Sequence, residues 1–394
     1  MPERQLIKFI LGSELKLIRT ERRSHGHTWI VEKVRGAHEI CPRCATPSTR
    51  RYGRATAMVR DEAVRCQMIW LKVLKHRYYC PTCRKPFTES VPGILPRRRS
   101  TQRFRKSILN ASHQFTNLSV AARSHHCSRS LVGQIFYEQM EIKLRERRTQ
   151  RWPSVLGIDE HRFRRGKYGA EFVTMLTDVG RRRAFELAES KSGADLRKQL
   201  MHIEGREDVR LVVLDLSRGY RSFVKDMFPQ ARLVADKFHV LRLITPSLIR
   251  ERKQIHGHRQ DLHLRRQLLR SRQRLDYFQR SDLDRYLAQH PKLNELYRMK
   301  ERMHEFYRIR GYNRARTVLM RLLDQMQGSK LEEIQRLRRT LKDWQEEILE
   351  YFRSRYTNAF TEAMNSIAKL VQRRGCGYRN FKNYRIRTLS ACPA

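Results

Sequence analysis

The chain has 394 residues, which is enough for two or three domains and at least one sizeable core. It carries 84 Lys and Arg residues against 40 Asp and Glu residues, giving a formal net charge of +44. Such a charge repels itself unless a polyanion neutralises it, so nucleic acid is the expected partner. A membrane surface is disfavoured, because the basic residues run along the whole chain instead of forming one tail or one amphipathic helix.

The sequence predicts no targeting or membrane segment. The first ten residues include Glu3, Arg4 and Lys8 and lack the apolar core of a signal peptide. Apolar runs such as Leu211–Leu214 are far too short to span a bilayer. We therefore expect a soluble intracellular protein whose cysteines are reduced, and in that setting metal binding is favoured over disulfides.

Two CxxC turns indicate a metal site in residues 1–95. The segment between the turns is strand-like, and Gln67–Tyr79 has the alternation of a strand with one apolar face. A hairpin that joins the turns brings four thiolates together, which suits a structural zinc ion and not a catalytic one. Redox-active or merely buried cysteines are the alternative, and two matched turns disfavour it. The predicted ligands are Cys41, Cys44, Cys80 and Cys83.

Residues 96–152 are predicted to hold two short helices, at 117–123 and 128–136, with Ser128 as the N-cap of the second. This spacing is typical of a helix-turn-helix, whose second helix enters the major groove. A plain helical hairpin is the alternative. The residues predicted to contact DNA are Arg129, Ser130 and Gln134.

Strand signals in residues 153–244 lead into two acids. Val155–Ile158 is an apolar run followed by Asp159, and Val209–Leu214 is a nearly pure buried strand followed by Asp215. The whole segment predicts three strands, a helix, a strand, a helix and a strand. That order favours a ribonuclease H-like core, in which the first and fourth strands are neighbours. A single Asp after a strand is usually a turn residue, but two in this order indicate carboxylates that share metal ions.

The third acid is predicted on a helix near the end of the chain. Four polar residues spaced by four, three and four share one helical face: Asn358, Glu362, Asn365 and Lys369. Four apolar residues cluster on the opposite face, which we expect to be buried: Phe360, Met364, Ile367 and Val371. An ordinary amphipathic surface helix explains the stripe but not its two asparagines, because Asn is a poor helix former.

Asp159, Asp215 and Glu362 together suit hard divalent cations, namely two Mg²⁺ ions with Mn²⁺ as the alternative. Two such ions activate an attacking oxygen and stabilise the leaving oxygen at phosphorus. The predicted chemistry is hydrolysis of a phosphodiester followed by attack of the freed 3′-hydroxyl on another strand.

Nearly the whole chain resembles the ISL-three family of bacterial insertion-sequence transposases, which use a DDE triad. The resemblance rests on the two cysteine turns, the helical pair and six sequence blocks: GIDEH at 157–161, VVLDLSRGY at 212–220, ADKFHV at 235–240, LKDWQEEIL at 341–349, TNAFTEAMNSIAK at 357–369 and RRGCGYRNFKNYRIR at 373–387. It implies that Asp159, Asp215 and Glu362 bind the metal ions. It also implies a helical insertion between the second Asp and the Glu, and action on terminal inverted repeats.

Asp236 and His239 leave one alternative open. They follow the fifth predicted strand, so Asp236 competes with Asp215 as the second metal ligand. We favour Asp215, because it ends the more apolar strand and occupies the fourth-strand position. His239 is expected to be a hydrogen-bonding residue at the strand end.

The insertion and the C-terminal segment are strongly basic. Leucines at helical spacing, such as Leu262 and Leu264, predict a helical bundle, whose basic face is expected to bind DNA or, alternatively, to form a dimer contact. Near the end of the chain, cations alternate with Tyr378, Phe381 and Tyr384, which suits contact with unpaired bases, although core packing would give the same pattern. The cations predicted to bind DNA are Arg373, Arg374 and Arg379.

The sequence therefore predicts a multidomain α/β protein. The expected parts are a zinc-binding domain at 1–95, a helix-turn-helix domain at 96–152, a ribonuclease H-like core at 153–244 and 353–394, and an all-helical insertion at 245–352. The last part of the core is expected to be the Glu-bearing helix and a basic tail.

The expected activity is that of a DDE transposase which cleaves terminal inverted repeats and transfers the strands to target DNA. We expect it to work as a homodimer or a larger assembly on the nucleoid of the bacterial cytoplasm. The alternatives are another ribonuclease H-like nuclease, such as a resolvase or repair nuclease, and a non-enzymatic DNA-binding regulator. A nuclease of that kind would not need the zinc module, the helix-turn-helix and the insertion together.

Overall fold

The computed structural model describes residues 7, 10–114, 117–147, 151–166, 169–256 and 262–392. The chain divides into two compact units, residues 1–142 and 143–394. Among the described helices, none is both long and apolar enough to cross a membrane.

The first unit contains a mixed five-stranded sheet and a separate small hairpin. Its strands are β1 (Leu15–Arg23), β2 (Gly26–Lys33), β3 (Glu39–Ile40), β4 (Pro47–Ser48), β5 (Arg51–Val64), β6 (Gln67–Tyr79) and β7 (Pro86–Thr88). The sheet has the order β1-β2-β6-β5 with β7 added to β6, and β3 pairs only with β4. The predicted strand 67–79 is confirmed as β6. Its Ile69, Leu71 and Val73 are buried, because alternate side chains of a strand share one face.

Three helices follow this sheet: α1 (Gln102–Gln114), α2 (Leu118–Ser124) and α3 (Arg129–Arg147), which begins in the first unit and ends beyond residue 142. They enclose a small apolar core that includes Ile108, Ala121 and Val132. The hydroxyl of Ser128 accepts a hydrogen bond from the Leu131 amide at 3.2 Å, as an N-cap of α3 does. The two predicted helices are therefore present, and α3 extends well beyond residue 136.

The second unit contains a five-stranded sheet with strands β8 (Val155–Gly166), β9 (Gly169–Asp178), β10 (Arg183–Glu189), β11 (Leu211–Leu214) and β12 (Arg232–Ala235). The order across the sheet is β10-β9-β8-β11-β12. β9 is antiparallel to both β8 and β10, whereas β11 and β12 run parallel to β8. β8 is longer than its apolar run predicted. It pairs with β9 as far as Gly166, so Asp159 lies within the strand and not at its end.

Helices cover this sheet and continue into the long segment before Glu362. They are α4 (Gly193–Leu200), α5 (Arg218–Met227), α6 (Lys237–Arg242), α7 (Thr245–His256), α8 (Leu262–Leu269), α9 (Tyr277–Ala288), α10 (Pro291–Phe306), α11 (Tyr312–Gln327), α12 (Glu332–Asp343) and α13 (Gln345–Ser354). Their apolar faces join the sheet in one continuous core. Leu264 is buried as the spacing predicted, but Leu262 is exposed.

The last two helices differ from their predicted form. α14 (Ala359–Arg374) carries Glu362, and its buried residues are Thr361, Met364, Asn365 and Ala368. The expected apolar face was therefore wrong for Phe360, Ile367 and Val371, which are only half-buried. The two asparagines of the polar face are buried, because Asn358 donates to the Ile158 carbonyl and Asn365 donates to Asp159 on the sheet. Lys369 of the same face is exposed.

Much of the predicted basic tail is helical, because residues 381–391 form a helix, α15 (Phe381–Ala391). Its Arg385 guanidinium donates to Glu186 of β10 at 2.6 Å. Tyr384 is buried and stacks on Phe163 with ring centroids 4.9 Å apart. Of the two uses that the sequence left open for the C-terminal aromatics, Tyr384 has the packing one.

Candidate functional site

Three carboxylates lie at one edge of the second sheet, where its parallel pairing ends. The last paired residues of β11 and β8 are Val213 and Gly157, and Asp215 and Asp159 each lie two residues further along. Asp236 follows the last paired residue of β12, Ala235, which lies beside Leu214. Because parallel strands end at a common edge, this register brings together acids that are far apart in the sequence.

Asp215 is mostly buried and only partly satisfied. Burial raises its pKa to about 6, and the nearby negative charges of Glu160 and Asp159 add to that effect. Its Oδ1 is buried and has no hydrogen-bond partner among the residues that the structure describes. A buried carboxylate oxygen without a partner is costly, so this position favours a bound cation.

Asp159 is held from two sides. Its Oδ1 accepts a hydrogen bond from the Glu160 amide at 2.8 Å, and its Oδ2 accepts one from Nδ2 of Asn365 at 2.9 Å. Burial raises the pKa of Asp159, and these two hydrogen bonds act in the opposite direction. The carboxylate is therefore oriented by α14, the helix that carries Glu362.

α14 lies close against β8 because three residues hold it there. Asn358, just before the helix, donates from Nδ2 to the Ile158 carbonyl at 2.8 Å. The hydroxyl of Thr361 is 2.7 Å from that of Thr177 on β9. Gly157 makes this approach feasible, since a β-carbon there would lie 2.3 Å from Thr361 Oγ1.

Asp236 is fully buried, and both of its carboxylate oxygens are engaged. Oδ1 accepts from the Asn358 amide at 2.9 Å, while Oδ2 accepts from the amides of Phe238 and His239 at 3.1 and 3.2 Å and from His239 Nδ1 at 3.0 Å. Burial alone would raise the pKa of Asp236, but the hydrogen bonds from His239 and Asn358 outweigh it and lower the pKa. Asp236 is thus the N-cap of α6.

His239 was expected only as a hydrogen-bonding residue, and it has that role toward Asp236. The hydrogen bond raises the pKa of His239, and the charges of Asp215 and Asp159 add to the effect. The imidazole therefore lies within the electrostatic reach of the predicted acids. The Asp-x-x-His spacing at the start of a helix is the sequence signal for this pair.

Distances and hydrogen bonding give different answers about the second metal ligand. Asp236, His239 and Glu362 have ligand atoms within 4.8 Å of one another, whereas Asp159, Asp215 and Glu362 do not form such a group among the described side chains. The spacing thus favours Asp236 beside Glu362. The hydrogen bonding favours Asp215, because Asp236 has no oxygen left without a partner.

Buried His161 extends the site and was not predicted from the sequence as a site residue. Nδ1 of His161 on β8 is 2.8 Å from Asn365 Oδ1, and its Nε2 is 2.6 Å from the hydroxyl of Tyr384. Burial lowers the pKa of His161 to about 4, so the ring is neutral. The alternation of β8 places His161 on the same face as Asp159, which is the signal that could have found it.

The four predicted zinc ligands are close together in the first unit. The sulfur atoms of Cys41, Cys44, Cys80 and Cys83 lie within 4.8 Å of one another. Four sulfur donors at that spacing fit tetrahedral zinc. The hydrogen bonds with Thr46 and with Cys83 lower the pKa of Cys44 to about 6, and the contact with Cys44 raises the pKa of Cys83.

The two cysteine turns have matching backbones. The Cys41 amide donates to the Thr46 carbonyl at 2.9 Å, and the Cys80 amide donates to the Lys85 carbonyl at 3.0 Å. The residue after the second cysteine has a positive φ in both turns, 58° at Ala45 and 49° at Arg84. Each pair of sulfurs is therefore presented by the same local hairpin geometry.

The residues predicted to contact DNA are all exposed. Arg129, Ser130 and Gln134 lie along α3, and Arg373, Arg374 and Arg379 lie at and after the end of α14. They are accessible to a nucleic acid within their own units.

Comparison with known proteins identifies the class. The family model of the ISL-three DDE type, described as "Transposase", matches residues 156–388. That is more than half of the chain, and the protein is therefore a transposase. It belongs to the ISL-three family of insertion-sequence transposases. It is similar to the transposase for insertion sequence element IS1001 of Bordetella parapertussis, with 23% identity over 370 residues that cover 90% of this chain and 89% of that protein.

Proposed function

We propose that this transposase binds the terminal inverted repeats of an insertion sequence and catalyses divalent-metal-dependent strand cleavage and strand transfer, with Asp159, Asp215 and Glu362 as the metal-binding acids. One observation carries the proposal. Asp159 and Asp215 occupy matching positions on neighbouring strands, and the helix with Glu362 is held against the first of them. The sheet order and this helix support a ribonuclease H-like core formed by residues 153–244 and 353–394.

Asp215 is preferred over Asp236 as the second ligand. Asp236 caps α6 and binds the Asn358 amide, so a metal ion would have to break these hydrogen bonds. Asp215 offers a buried oxygen that has no partner among the described residues. The closer spacing of Asp236 to Glu362 is explained by its structural role, since Asn358 connects Asp236 to the start of α14.

The donor set fits Mg²⁺, or Mn²⁺ in its place, because all three side chains offer carboxylate oxygens. Two such ions, when bound, activate the attacking oxygen and stabilise the leaving oxygen in an in-line displacement at phosphorus. Other side chains orient the acids and hold the DNA. Asn365 orients Asp159, and exposed cations such as Lys369, whose charge reaches Asp159, hold the phosphate backbone near the acids.

DNA recognition is assigned to the helix-turn-helix and to basic surfaces elsewhere. The exposed Arg129, Ser130 and Gln134 of α3 suit the major groove. Basic residues of the insertion (245–352) and the Arg373, Arg374 and Arg379 cluster suit backbone contacts. Because two ends must be joined, the working form is a homodimer or larger assembly. The four-cysteine cluster binds a structural zinc ion that stabilises the first unit.

The test uses the purified full chain with labelled DNA from both ends of the genomic element that encodes it, in Mg²⁺ or EDTA. The variants are Asp159→Asn, Asp215→Asn and Glu362→Gln. The matched control is Asp226→Asn, which changes an exposed acid of the same unit. We expect metal-dependent nicking and strand transfer in the wild type and the control, and a loss of about 10³-fold or more in each of the three variants, because each removes a metal ligand.

DNA binding must persist in the three variants for this interpretation to hold. Cleavage that survives in Asp215→Asn but is lost in Asp236→Asn assigns the second ligand to Asp236 instead. Binding without cleavage in the wild type, with Mg²⁺ or Mn²⁺ present, contradicts the enzymatic function and favours a DNA-binding regulator.

A further inference from the structure

A continuous chain of buried hydrogen bonds connects the last helix of the protein to Asp159. It runs from the Tyr384 hydroxyl to His161 Nε2 at 2.6 Å, from His161 Nδ1 to Asn365 Oδ1 at 2.8 Å, and from Asn365 Nδ2 to Asp159 Oδ2 at 2.9 Å. Tyr384, His161 and Asn365 are each no more than 2% exposed. Water is therefore kept away from these three side chains.

The direction of each proton in the chain follows from Asp159. A carboxylate oxygen only accepts, so the Asn365 amide must present its NH₂ group to it and its oxygen to His161. His161 must then carry its proton on Nδ1, and the unprotonated Nε2 of the neutral ring accepts from Tyr384. The Tyr384 hydroxyl is also 3.2 Å from the Ala368 carbonyl, but its single proton is better used in the 2.6 Å contact.

We propose that Asn365, His161 and Tyr384 are positioning residues that fix the orientation of the Asp159 carboxylate for metal binding. This inference rests on the proposed function, since Asp159 is taken as a metal ligand there. Tyr384 lies on α15 and acts on Asp159 through His161 and Asn365. Hydrogen-bond partners of metal ligands commonly set ligand geometry in this way.

A purely structural role would predict something different. If these hydrogen bonds only satisfied buried polar groups, their removal would lower the free energy of unfolding and leave the cation affinity of the folded protein unchanged. A positioning role predicts weaker cation binding in a variant that remains folded. Tyr384→Phe separates the two, because it removes the hydroxyl and keeps the ring that stacks on Phe163.

The experiment measures Mn²⁺ binding to the full chain without DNA, by electron paramagnetic resonance, after zinc has been loaded. We expect Asn365→Ala to weaken Mn²⁺ binding by about 10-fold to 100-fold. Tyr384→Phe should weaken Mn²⁺ binding by about fivefold, because it removes one hydrogen bond that is two residues removed from Asp159. Tyr297→Phe is the matched control, a buried tyrosine of α10 outside the chain of hydrogen bonds, and should leave binding unchanged.

A second readout is the tautomer of His161, from ¹⁵N spectra of histidine-labelled protein, with His161→Gln identifying its signals. We expect the Nδ1–H tautomer in the wild type. An Nε2–H tautomer, unchanged Mn²⁺ affinity in both Asn365→Ala and Tyr384→Phe, or no Mn²⁺ binding by the wild type would overturn the proposal. Failure of the wild type to cleave terminal-repeat DNA counts against the proposed function alone, because neither readout uses DNA.

Discussion

Position 157 accepts only glycine if the helix carrying Glu362 is to lie against β8. An added β-carbon would meet the hydroxyls of Thr361 and Thr177 at 2.3 and 2.6 Å. Gly157 is thus a site residue without any side-chain chemistry, since it determines how near α14 comes to Asp159.

Gly157→Ala is expected to lower the free energy of unfolding by about 1 to 3 kcal/mol, as overpacking of a tight interface does. It should also abolish Mn²⁺ binding, because α14 must move away from the sheet. Urea denaturation and Mn²⁺ titration measure the two effects. The control is Gly219→Ala on α5, where a β-carbon would meet only Ser217 Oγ, at 3.8 Å. Wild-type behaviour of Gly157→Ala would contradict the tight approach.

Asp215 and Asp236 are expected to respond oppositely to the same substitution in metal-free protein. Asp215→Asn removes a buried charge that lacks a partner at Oδ1, so it should raise the free energy of unfolding by about 1 to 3 kcal/mol. Asp236→Asn removes the anion that holds His239 and the Asn358 amide, so it should lower that free energy by a similar amount.

Denaturation in EDTA and in Mg²⁺ tests this pair. Added Mg²⁺ should stabilise the wild type, and Asp215→Asn should not respond to it. A destabilised Asp215→Asn protein in EDTA would mean that the Asp215 carboxylate already has a cationic partner.

The residues at strand ends could be predicted from sequence, whereas the arrangement of α14 could not. Asp215 follows a strand of four buried residues, and this apolar run is recognisable from neighbouring residues in the sequence. Asn365 lies inward because its partner Asp159 is 206 positions away in the sequence, and local amphipathicity does not report such a partner. The same holds for His161, whose two hydrogen-bond partners come from α14 and α15.

At the scale of elements, the two cysteine hairpins could be predicted because each is specified by four consecutive residues and matching turns. The succession of strands and helices along residues 153–244 was also predictable, since apolar runs of strand length alternate with helical segments. The C-terminal segment could be predicted only in part, because its basic composition does not show which cations, such as Arg387, are buried. Its pairing with β10 through Arg385 and Glu186 depends on the folded sheet.

Removal of zinc should destabilise the first unit. The zinc ion would hold the short hairpin of β3 and β4 against the cysteine turn that follows β6. We expect Cys80→Ser to lose the zinc ion and to lower the thermal midpoint of the unit that contains it. Zinc content and thermal denaturation measure these effects. Cys66→Ser, at an exposed cysteine outside the cluster, is the control and should keep one zinc ion per chain. Equal zinc content in both variants would contradict the four-sulfur site.

For the whole molecule, the net charge of +44 predicts a steep dependence of DNA affinity on salt. If about 6 to 10 phosphates are neutralised, affinity should fall by roughly 10³-fold to 10⁵-fold between 50 and 200 mM salt. Fluorescence anisotropy with a labelled duplex measures the slope. An unrelated duplex of equal length is the control and should show a similar slope at lower affinity. A flat dependence would mean that the basic surface serves contacts other than DNA backbone.

The helix that carries Glu362 packs on β8 through Asn358 but is encoded long after that strand, and this order matters during protein synthesis. Asp159 and Asp215 leave the ribosome early, but Glu362 follows Asp215 by 147 positions (362 − 215), beyond the entire insertion. At translation rates of about 5 to 20 residues per second, the delay is roughly 7 to 30 seconds. A nascent chain can therefore fold its first unit and bind its zinc ion well before the third acid exists. Under the proposed assignment, a ribosome that stalls within the insertion releases a polypeptide that is unable to cut DNA.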